Sequence, residues 1–183
     1  MRTSFRPAAV ALVVAIGLTA SGCATDDPAP RPSTSTSAAP LFASDEEALA
    51  AAEEAYAAYV AVTDRVFASG GAELSALNTV ATGKQLLLDT ADLSEAARMG
   101  YRSEGETTFE KVTLQSYSDT DDAAVIVYLC EDVSAVNVVD SNGVSVVSPD
   151  RPNRVMYEVT FDRSDTDSKL LVEFREPWGG GAC

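Results

Sequence analysis

Histidine is absent from the 183-residue sequence. This absence excludes Ser-His-Asp and Cys-His catalytic sets, histidine general bases and most zinc or copper sites, because each of them needs an imidazole. Basic residues are also few, 13 against 28 acidic ones, which gives a formal charge of −15. So acidic a chain is not expected to bind nucleic acid or to contact an anionic membrane surface directly.

The sequence also lacks an apolar run long enough for a membrane-spanning helix. Ala8 to Leu18, broken only by Gly17, is about half the roughly 20 residues that a helix needs to cross a bilayer. Arg2 and Arg6 precede this run, and small residues follow it. That layout is typical of a secretory signal peptide, so we expect residues 1–22 to be removed.

The small residues after the run, Ala20-Ser21-Gly22-Cys23, resemble a bacterial lipobox. In that family the cysteine is acylated and becomes the first residue of the mature protein. The resemblance therefore implies acyl chains, palmitate among them, on Cys23, and two or more chains would hold the protein stably at a membrane. An ordinary signal peptide followed by a coincidental cysteine is the alternative interpretation.

The predicted mature chain divides into a tether and a domain. Residues 23–43 are rich in proline, serine, threonine and alanine and have no sustained apolar period, which predicts a disordered tether, with a glycosylated or wall-spanning linker as alternatives. Residues 44–183 are expected to form one folded domain. Removal of residues 1–22 takes away two basic residues and no acidic one, so the mature formal charge is −17.

Three cysteines are present. If Cys23 carries lipid, Cys130 and Cys183 remain as an even pair in an exported protein, and a disulfide between them is the natural interpretation. Closing the loop between them (183 minus 130, or 53 residues) would restrict the unfolded chain by roughly 4 kcal/mol in the entropic model. The bond would also fix the glycine-rich segment from Gly179 onward.

The domain is predicted to open with one amphipathic helix from Asp45 to about Ala68. Ser44 and Glu47 have capping-box spacing, and Ser69-Gly70-Gly71 ends the helix. The face expected to be buried consists of Leu49, Ala52, Tyr56, Tyr59, Val60, Thr63, Val66 and Phe67.

A second helical region, Glu73 to Arg98, is broken near Thr82-Gly83 and predicts two shorter helices. The residues expected to be buried there are Leu74, Leu77, Val80, Leu86, Leu87 and Met99.

From Thr107 onward the apolar period becomes alternating and β-branched residues dominate, which predicts a sheet. The segment Ala123 to Cys130 carries apolar residues on both of its faces and should be the central strand. On the last strand, Leu170, Val172 and Phe174 are expected to share one face. A short hairpin with an Asn-Gly turn is expected within residues 136–144. The four predicted strands are Phe109 to Tyr117, Ala123 to Cys130, Arg154 to Phe161 and Lys169 to Phe174.

This element order, a long helix, broken helices and then a curved antiparallel meander, is similar to the nuclear-transport-factor-two-like cone fold. Three segments and a terminal cysteine also resemble small lipoproteins of high-GC Gram-positive bacteria: Ala81-Thr82-Gly83-Lys84, Leu129-Cys130-Glu131-Asp132 and Val138 to Gly143. The resemblance covers Ser44 to Cys183. It implies an α+β domain whose N-terminal helices pack on a curved antiparallel sheet, with a pocket between the long helix and the sheet.

In ketosteroid-isomerase-like relatives of that fold, tyrosine and aspartate side chains in the pocket polarise a carbonyl and shuttle a proton. The candidates for such a pocket here are Tyr56, Tyr59, Asp64, Tyr128 and Tyr157. None of them matches a family motif, so no catalytic or cofactor-binding residue is assigned. The competing interpretation is that the tyrosines are core residues whose hydroxyls reach the pocket rim or solvent.

Two acidic turns, Asp119 to Asp122 and Asp140 to Gly143, resemble fragments of calcium loops. Neither continues to the required glutamate, so both are predicted to be solvated turns and no metal site is expected. Trp178, the only tryptophan, is expected to cover the core beside the disulfide; a surface anchor for a partner is the alternative.

An anchor, a tether and a domain without a recognisable catalytic set predict a lipid-anchored binding or accessory domain on the outer face of the cytoplasmic membrane, without a cofactor. It would contact the membrane through acyl chains on Cys23 and bind a small apolar ligand or an envelope protein. Two alternatives stand beside this interpretation. One is a ketosteroid-isomerase or dehydratase type of enzyme acting on a small carbonyl compound; the other is an assembly or secretion accessory that pairs through a sheet edge.

Overall fold

The structure, a computed structural model, describes residues 41–118, 124–179 and 183. Cys23, almost all of the predicted tether and the acidic turn Asp119 to Asp122 lie outside these residues, as does Ala123, the predicted first residue of the central strand. Within the described ranges, no helix has both the length and the apolar character needed to cross a membrane.

The first helix, α1, spans Asp45–Ala68, as predicted. Ser44 caps it, because its Oγ accepts a hydrogen bond from the N–H of Glu47 at 3.3 Å. The Glu47 carboxylate in turn accepts the N–H of Ala43 at 2.7 Å, so two N-terminal donors are satisfied. After the helix the chain turns at Gly70, whose φ of 65° lies in the left-handed region that glycine adopts without steric cost.

The buried face of α1 is close to the predicted one. Tyr56 and Tyr59 are almost completely buried, whereas Leu49, Thr63 and Phe67 are only half-buried. The buried residues of the helix are Ala48, Ala52, Tyr56, Tyr59, Val60, Val62 and Val66. Ahead of the helix, Phe42 is also buried and meets the ring of Tyr117 edge-on, with centroids 5.8 Å apart.

The second helical region divides as predicted into a 3-10 helix, Leu74–Thr79, and helix α2, Gly83–Arg98. The prediction that Leu87 and Met99 are buried is wrong, because they are 72% and 45% exposed. Gln85, Asp89 and Leu93 lie on one face of the helix, which is turned toward the protein interior. Leu87 lies on the opposite face and is therefore exposed.

Six strands follow. The four long ones form one antiparallel sheet in the order β2-β3-β5-β6, so β3 is internal, as predicted for that segment. The two short strands, β1 and β4, pair with each other in a separate ribbon. The bounds are β1 Arg102–Glu104, β2 Thr108–Tyr117, β3 Val125–Asp132, β4 Asn137–Val139, β5 Arg154–Arg163 and β6 Leu170–Pro177.

Helices packed against a curved antiparallel sheet confirm the predicted α+β architecture. The inner sheet face and α1 share the core, to which β3, β5 and β6 contribute Val125, Val127, Leu129, Val159, Phe161 and Val172. Full burial of each such side chain contributes about 1.5–3 kcal/mol. The edge of β6 is covered, because the N–H of Thr82 donates to the carbonyl of Val172 at 2.9 Å. At the other edge, β2 pairs with no further strand among the described residues.

A bulge in β6 changes which side chains face the core. Phe161 pairs with Val172, but the preceding residue of β5, Thr160, pairs with Phe174, so one residue of β6 is left over. An extra residue exchanges the faces of every side chain beyond it. The prediction that Phe174 shares the face of Val172 is therefore wrong, and Arg175 takes that face, opposite Val159.

The predicted hairpin is partly confirmed. The turn is present, with the N–H of Gly143 donating to the carbonyl of Asp140 at 3.0 Å, and Val139 forms an isolated bridge with Ser145. The main partner of β4 is nevertheless β1, a strand that the sequence analysis did not predict.

The predicted disulfide is present between Cys130 and Cys183, whose Cα atoms are 5.9 Å apart. Cys130 lies on the outer face of β3, on the same parity as Tyr128. Tyr128 stacks against Trp178, with ring centroids 4.7 Å apart. Trp178 thus covers the outer sheet face beside the disulfide and remains 46% exposed.

Candidate functional site

A buried ion pair lies on the inner face of the sheet, against α1. Arg175 Nη1 donates to Glu131 Oε2 at 2.6 Å and to the hydroxyl oxygen of Tyr56 at 3.2 Å. The Tyr56 hydroxyl donates to the same carboxylate oxygen at 2.7 Å. The side chains of Arg175 and Glu131 are only 23% and 9% exposed. Such a pair is tolerated in a core because each charge has a partner of opposite sign and further hydrogen bonds.

Strand parity explains how each member reaches this place. Glu131 continues the inward series of Val127 and Leu129 along β3, so a carboxylate stands where the pattern puts a core residue. Arg175 faces inward only because of the bulge in β6. Tyr56 comes from the buried face of α1.

A second hydrogen-bonded group adjoins the ion pair and involves α2. The Tyr59 hydroxyl donates to Asp89 Oδ2 at 2.9 Å, and Gln85 Nε2 donates to Asp89 Oδ1 at 2.8 Å and to the Tyr59 hydroxyl at 3.1 Å. Gln85 Oε1 accepts the backbone N–H of Arg175 at 3.1 Å. Gln85 is 4% exposed, and its amide links α2 to β6 and to α1.

Aromatic rings border the guanidinium of Arg175. Its central carbon lies 4.6 Å from the ring centroid of Tyr157 and 5.6 Å from that of Tyr59. Both distances are within the range of cation–π attraction, which is stronger where water is excluded. The rings and Glu131 together hold Arg175 in one orientation.

The electrostatics of the cluster follow from burial and from these partners. Burial raises the pKa of Tyr56 well above its ordinary value, although Arg175 opposes the rise. Burial also raises the pKa of Asp89, against the hydrogen bonds from Tyr59 and Gln85. For Arg175, burial lowers the pKa, but the two tyrosines and Glu131 raise it by more, so the guanidinium stays charged.

Four members of the cluster, Tyr59, Asp89, Glu131 and Arg175, line part of a pocket of about 320 Å³ between the helices and the inner sheet face. Six apolar side chains form another part of the wall: Val60, Phe67, Leu93, Val133, Val136 and Val138. Asp64, Asp92 and Arg151 also line it. Arg151 Nη2 donates to the carbonyls of Val133 and Val136 at 2.9 and 2.8 Å, which fixes the loop after β3 at the pocket wall.

Arg175, a lining residue of this pocket, keeps unused hydrogen-bond donors. Its Nη1 and backbone N–H are engaged, whereas Nε and Nη2 make no hydrogen bond with any residue in the described ranges. A pocket with apolar walls and a few oriented polar groups is the usual form of a small-molecule site. The arrangement can therefore orient a ligand acceptor against Arg175.

Three of the five predicted candidates come together here. Tyr56, Tyr59 and Tyr157 surround Arg175, and Tyr59 lines the pocket. Asp64 lines the same pocket, but its carboxylate accepts the backbone N–H and the hydroxyl of Thr107, both at 2.8 Å.

The fifth candidate, Tyr128, lies on the opposite face of the sheet, stacked on Trp178. The described residues show no hydrogen bond between Asp64 and Tyr59.

Sequence reasoning missed four members of the site: Gln85, Asp89, Glu131 and Arg175. Glu131 could have been found, because it lies on the apolar, inward-facing side of a central strand. A carboxylate at such a position indicates a buried partner. Gln85 and Asp89 are four residues apart on one helix face, a weaker signal. Arg175 was missed because it faces inward only as a result of the bulge in β6.

The turn from Asp140 binds its own backbone. The Asp140 carboxylate accepts the N–H groups of Val144 and Asn142 at 2.9 and 2.8 Å, and these bonds lower its pKa. Across the part of the chain that the structure describes, no group of three or more acidic or cysteine side chains is placed to hold a metal ion.

A larger groove of about 660 Å³ runs along the outer side of α1, against the loop before β2. Its walls are mainly Ala57, Ala61, Ala68 and the segment from Gly105 to Phe109. The buried ion pair and the Gln85 group lie outside it, so the smaller pocket is the chemically distinctive one.

Three solved structures are similar to this chain to different degrees. The intermembrane-space region of the chloroplast protein ARC6 superposes with a TM-score of 0.51 at 18% identity, covering 70% of this chain and 95% of that one. A Catenulispora acidiphila protein in complex with S-DNPA gives 0.44 at 16% identity, covering 70% and 92%. A second structure from that organism gives 0.43 at 14% identity, covering 70% and 88%. No family model and no curated protein matches the chain. At these identities the ARC6 similarity shows the fold alone.

Proposed function

We propose that this protein is a lipid-anchored extracytoplasmic domain of the nuclear-transport-factor-two-like cone type that binds a small, neutral, largely apolar ligand carrying a hydrogen-bond acceptor such as a carbonyl. The observation that carries the proposal is the pair of unused donors on Arg175, which lines a pocket whose wall also carries six apolar side chains. A ligand acceptor would bind these donors, and its apolar body would lie against Phe67, Leu93 and the valines after β3.

Charge selects against an anionic ligand. Four carboxylates line the pocket, against two arginines. Arg175 is already paired with Glu131 at 2.6 Å, so a second negative charge would meet a neutralised site with carboxylates around it. A neutral acceptor gains the hydrogen bond without that repulsion.

Size sets the second limit. At about 320 Å³ the pocket is at the small end of the range of roughly 300–1,000 Å³ for ligand sites. A compound of about two fused rings fits such a volume, whereas a lipid with full-length acyl chains would protrude.

The hydrogen bonding favours binding over catalysis. Each tyrosine hydroxyl of the cluster, on Tyr56 and Tyr59, donates to a carboxylate of the protein. The Asp64 carboxylate is occupied by Thr107. A general base needs a free oxygen within reach of the substrate proton, and these groups are held by one another instead.

The location follows from the sequence features already described. The lipobox-like Ala20-Ser21-Gly22-Cys23 supports an acylated Cys23, and the proline-rich segment supports a tether between lipid and domain. The charge of −17 supports the same arrangement, because a domain so acidic needs an anchor to remain near an anionic surface.

Titration with prodan, a neutral fluorescent naphthalene ketone, tests the binding proposal. The unacylated mature chain (Cys23→Ala) should give a saturable blue shift of prodan emission in detergent-free buffer. Val136→Trp, which fills the pocket, should abolish the shift.

The charge-free double variant Arg175→Met with Glu131→Gln should weaken prodan binding about fivefold to tenfold, the loss expected for roughly one hydrogen bond. Arg163→Gln, on an exposed strand end, is the matched control. Absence of a saturable shift, or an equal shift in Val136→Trp, would falsify the proposal.

One observation favours a second candidate, a pocket enzyme acting on a small carbonyl compound. Burial raises the pKa of Asp89, and Asp89 is bonded to Tyr59 at 2.9 Å. A carboxyl group in such an environment can donate a hydrogen bond to an oxyanion when it is protonated. Deuterium incorporation next to the prodan ketone, faster with wild type than with Asp89→Asn, would support this candidate; equal incorporation would exclude it.

A further inference from the structure

We propose that the Cys130–Cys183 disulfide is a thiol–disulfide exchange site, at which a small thiolate bonds to Cys183 and Cys130 leaves as a thiolate beside Arg154. The disulfide thus has a defined direction of opening. This proposal does not depend on ligand binding in the pocket, which lies on the other face of the sheet.

Unequal access to the two sulfurs sets the direction. Cys130 is completely buried in β3, whereas Cys183 is partly exposed. A thiolate has to approach the sulfur that it attacks along the extension of the S–S bond, so the more accessible residue receives it. Only a small thiol suits this route, because Cys183 is itself largely covered.

A positive charge stands beside the leaving sulfur. Arg154 Nη2 lies 3.3 Å from Cys130 Sγ. A neighbouring guanidinium stabilises a thiolate and lowers the pKa of the thiol, and a thiol of lower pKa leaves faster. Lys111 adds a second positive charge near the backbone of Cys183, since its Nζ lies 3.4 Å from the carbonyl oxygen of that residue.

Arg154 also has donor capacity to spare. It pairs with Glu110, and Nη1 lies 3.5 Å from Asp132 Oδ2. Its Nε is buried and, within the described residues, has no hydrogen-bond partner. A thiolate on Cys130 would be a stronger acceptor for Nη2 than the intact disulfide, whose sulfur accepts only weakly.

The step balances without a further reactant. The attacking thiolate forms a sulfur–sulfur bond to Cys183 as the Cys183–Cys130 bond breaks, and the bonding electron pair stays on Cys130. The thiol becomes part of a mixed disulfide and Cys130 is reduced to the thiolate. Attack by this thiolate on the mixed disulfide reverses the step and expels the small thiol.

The first test locates the products in the wild-type chain. The oxidised full chain is incubated with limiting L-cysteine in mildly alkaline buffer, quenched with acid, alkylated with iodoacetamide and mapped by peptide mass. We expect cysteinylated Cys183 and alkylated Cys130. Cysteinylation mainly of Cys130, an equal division between the two residues, or free thiols on both before cysteine is added overturns the proposal.

Two variants test the role of Arg154 in opposite directions. Arg154→Gln should slow exchange by about threefold to tenfold, the effect of raising a leaving-group pKa by roughly one to two units. Glu110→Gln, which removes the carboxylate competing for Arg154, should accelerate it. Arg163→Gln, at the exposed end of β5, should react at the wild-type rate. If Arg154→Gln fails to fold, Glu110→Gln still decides the point, because an unchanged or slower rate in that variant contradicts the proposal.

Discussion

Arg175 of β6 and Glu131 of β3 form an ion pair across β5, the strand that separates them, with Nη1 and Oε2 2.6 Å apart. Both side chains are long enough to meet above the inner face of the sheet, and Tyr56 of α1 closes the contact from the helix side. The pair therefore links β3, β6 and α1 at one point in the core. The pocket is built around that point, so the stability of the pair and ligand binding are linked.

Removal of one partner of this pair should strongly destabilise the fold. Glu131→Leu leaves the Arg175 guanidinium buried without a counter-charge, at a cost of about 3 kcal/mol in the free energy of unfolding. The double variant Glu131→Leu with Arg175→Met removes both charges and should recover most of that loss. Urea denaturation measures both. Arg65→Gln, which breaks an ion pair between side chains 56% and 55% exposed, is the control and should cost under about 1 kcal/mol.

The stability of wild type relative to Asp89→Asn should rise as the pH falls. Burial raises the pKa of Asp89 in the folded chain above its ordinary value, so the folded state holds this proton more tightly than the unfolded state does. Stability then increases as pH falls through the folded pKa and stops changing below the unfolded pKa. Denaturation of both proteins across mildly acidic pH measures the difference, and a difference that shrinks on acidification would contradict the assignment.

Loss of the disulfide should cost about 4 kcal/mol, because its loop spans 53 residues. The comparison is between the Cys130→Ala, Cys183→Ala double variant and wild type, by urea denaturation without reductant. Thiol labelling of the folded wild type should leave both cysteines unmodified. Cys23→Ala should unfold like wild type, and a similar loss of stability in that variant would point to a different pairing.

Acylation of Cys23 should be visible in the intact mass of the purified protein, and Cys23→Ala should move the protein from the detergent phase to the aqueous phase. The cause is the transfer of the acyl chains to lipid, at about 0.8 kcal/mol per buried methylene. Ser21→Ala, a small residue exchanged for another, is the control and should remain in the detergent phase. An unmodified wild-type Cys23 would remove the anchor from the account.

Local signals predicted the elements well. The capping residues Ser44 and Glu47 fixed the start of α1, and the period change near Thr107 located the sheet. Strand β1 escaped notice because three residues carry too little alternation to be recognised.

Long-range geometry accounts for the larger errors. The face of α2 was misread at Leu87 because Gln85 and Asp89 face inward, where their hydrogen bonds to Tyr59 and Arg175 satisfy them. The bulge in β6 has no local sequence signal, yet it decides that Arg175 faces the pocket. The tyrosines of the candidate site could therefore be predicted from the sequence, whereas its charged residues could not.

Ligand binding against Arg175 is tested most directly by the side-chain Nε–H resonance of that arginine in a ¹⁵N-labelled Cys23→Ala mature chain titrated with prodan. We expect a saturable shift of the Arg175 Nε–H signal, together with shifts of the backbone amides of Val136 and Leu93, which lie at the pocket wall. Dimethylaminonaphthalene, which lacks the ketone, should shift the two wall residues but not the Arg175 signal. Shifts confined to the outer face around Tyr128 and Trp178, with Arg175 unmoved, would contradict the claim.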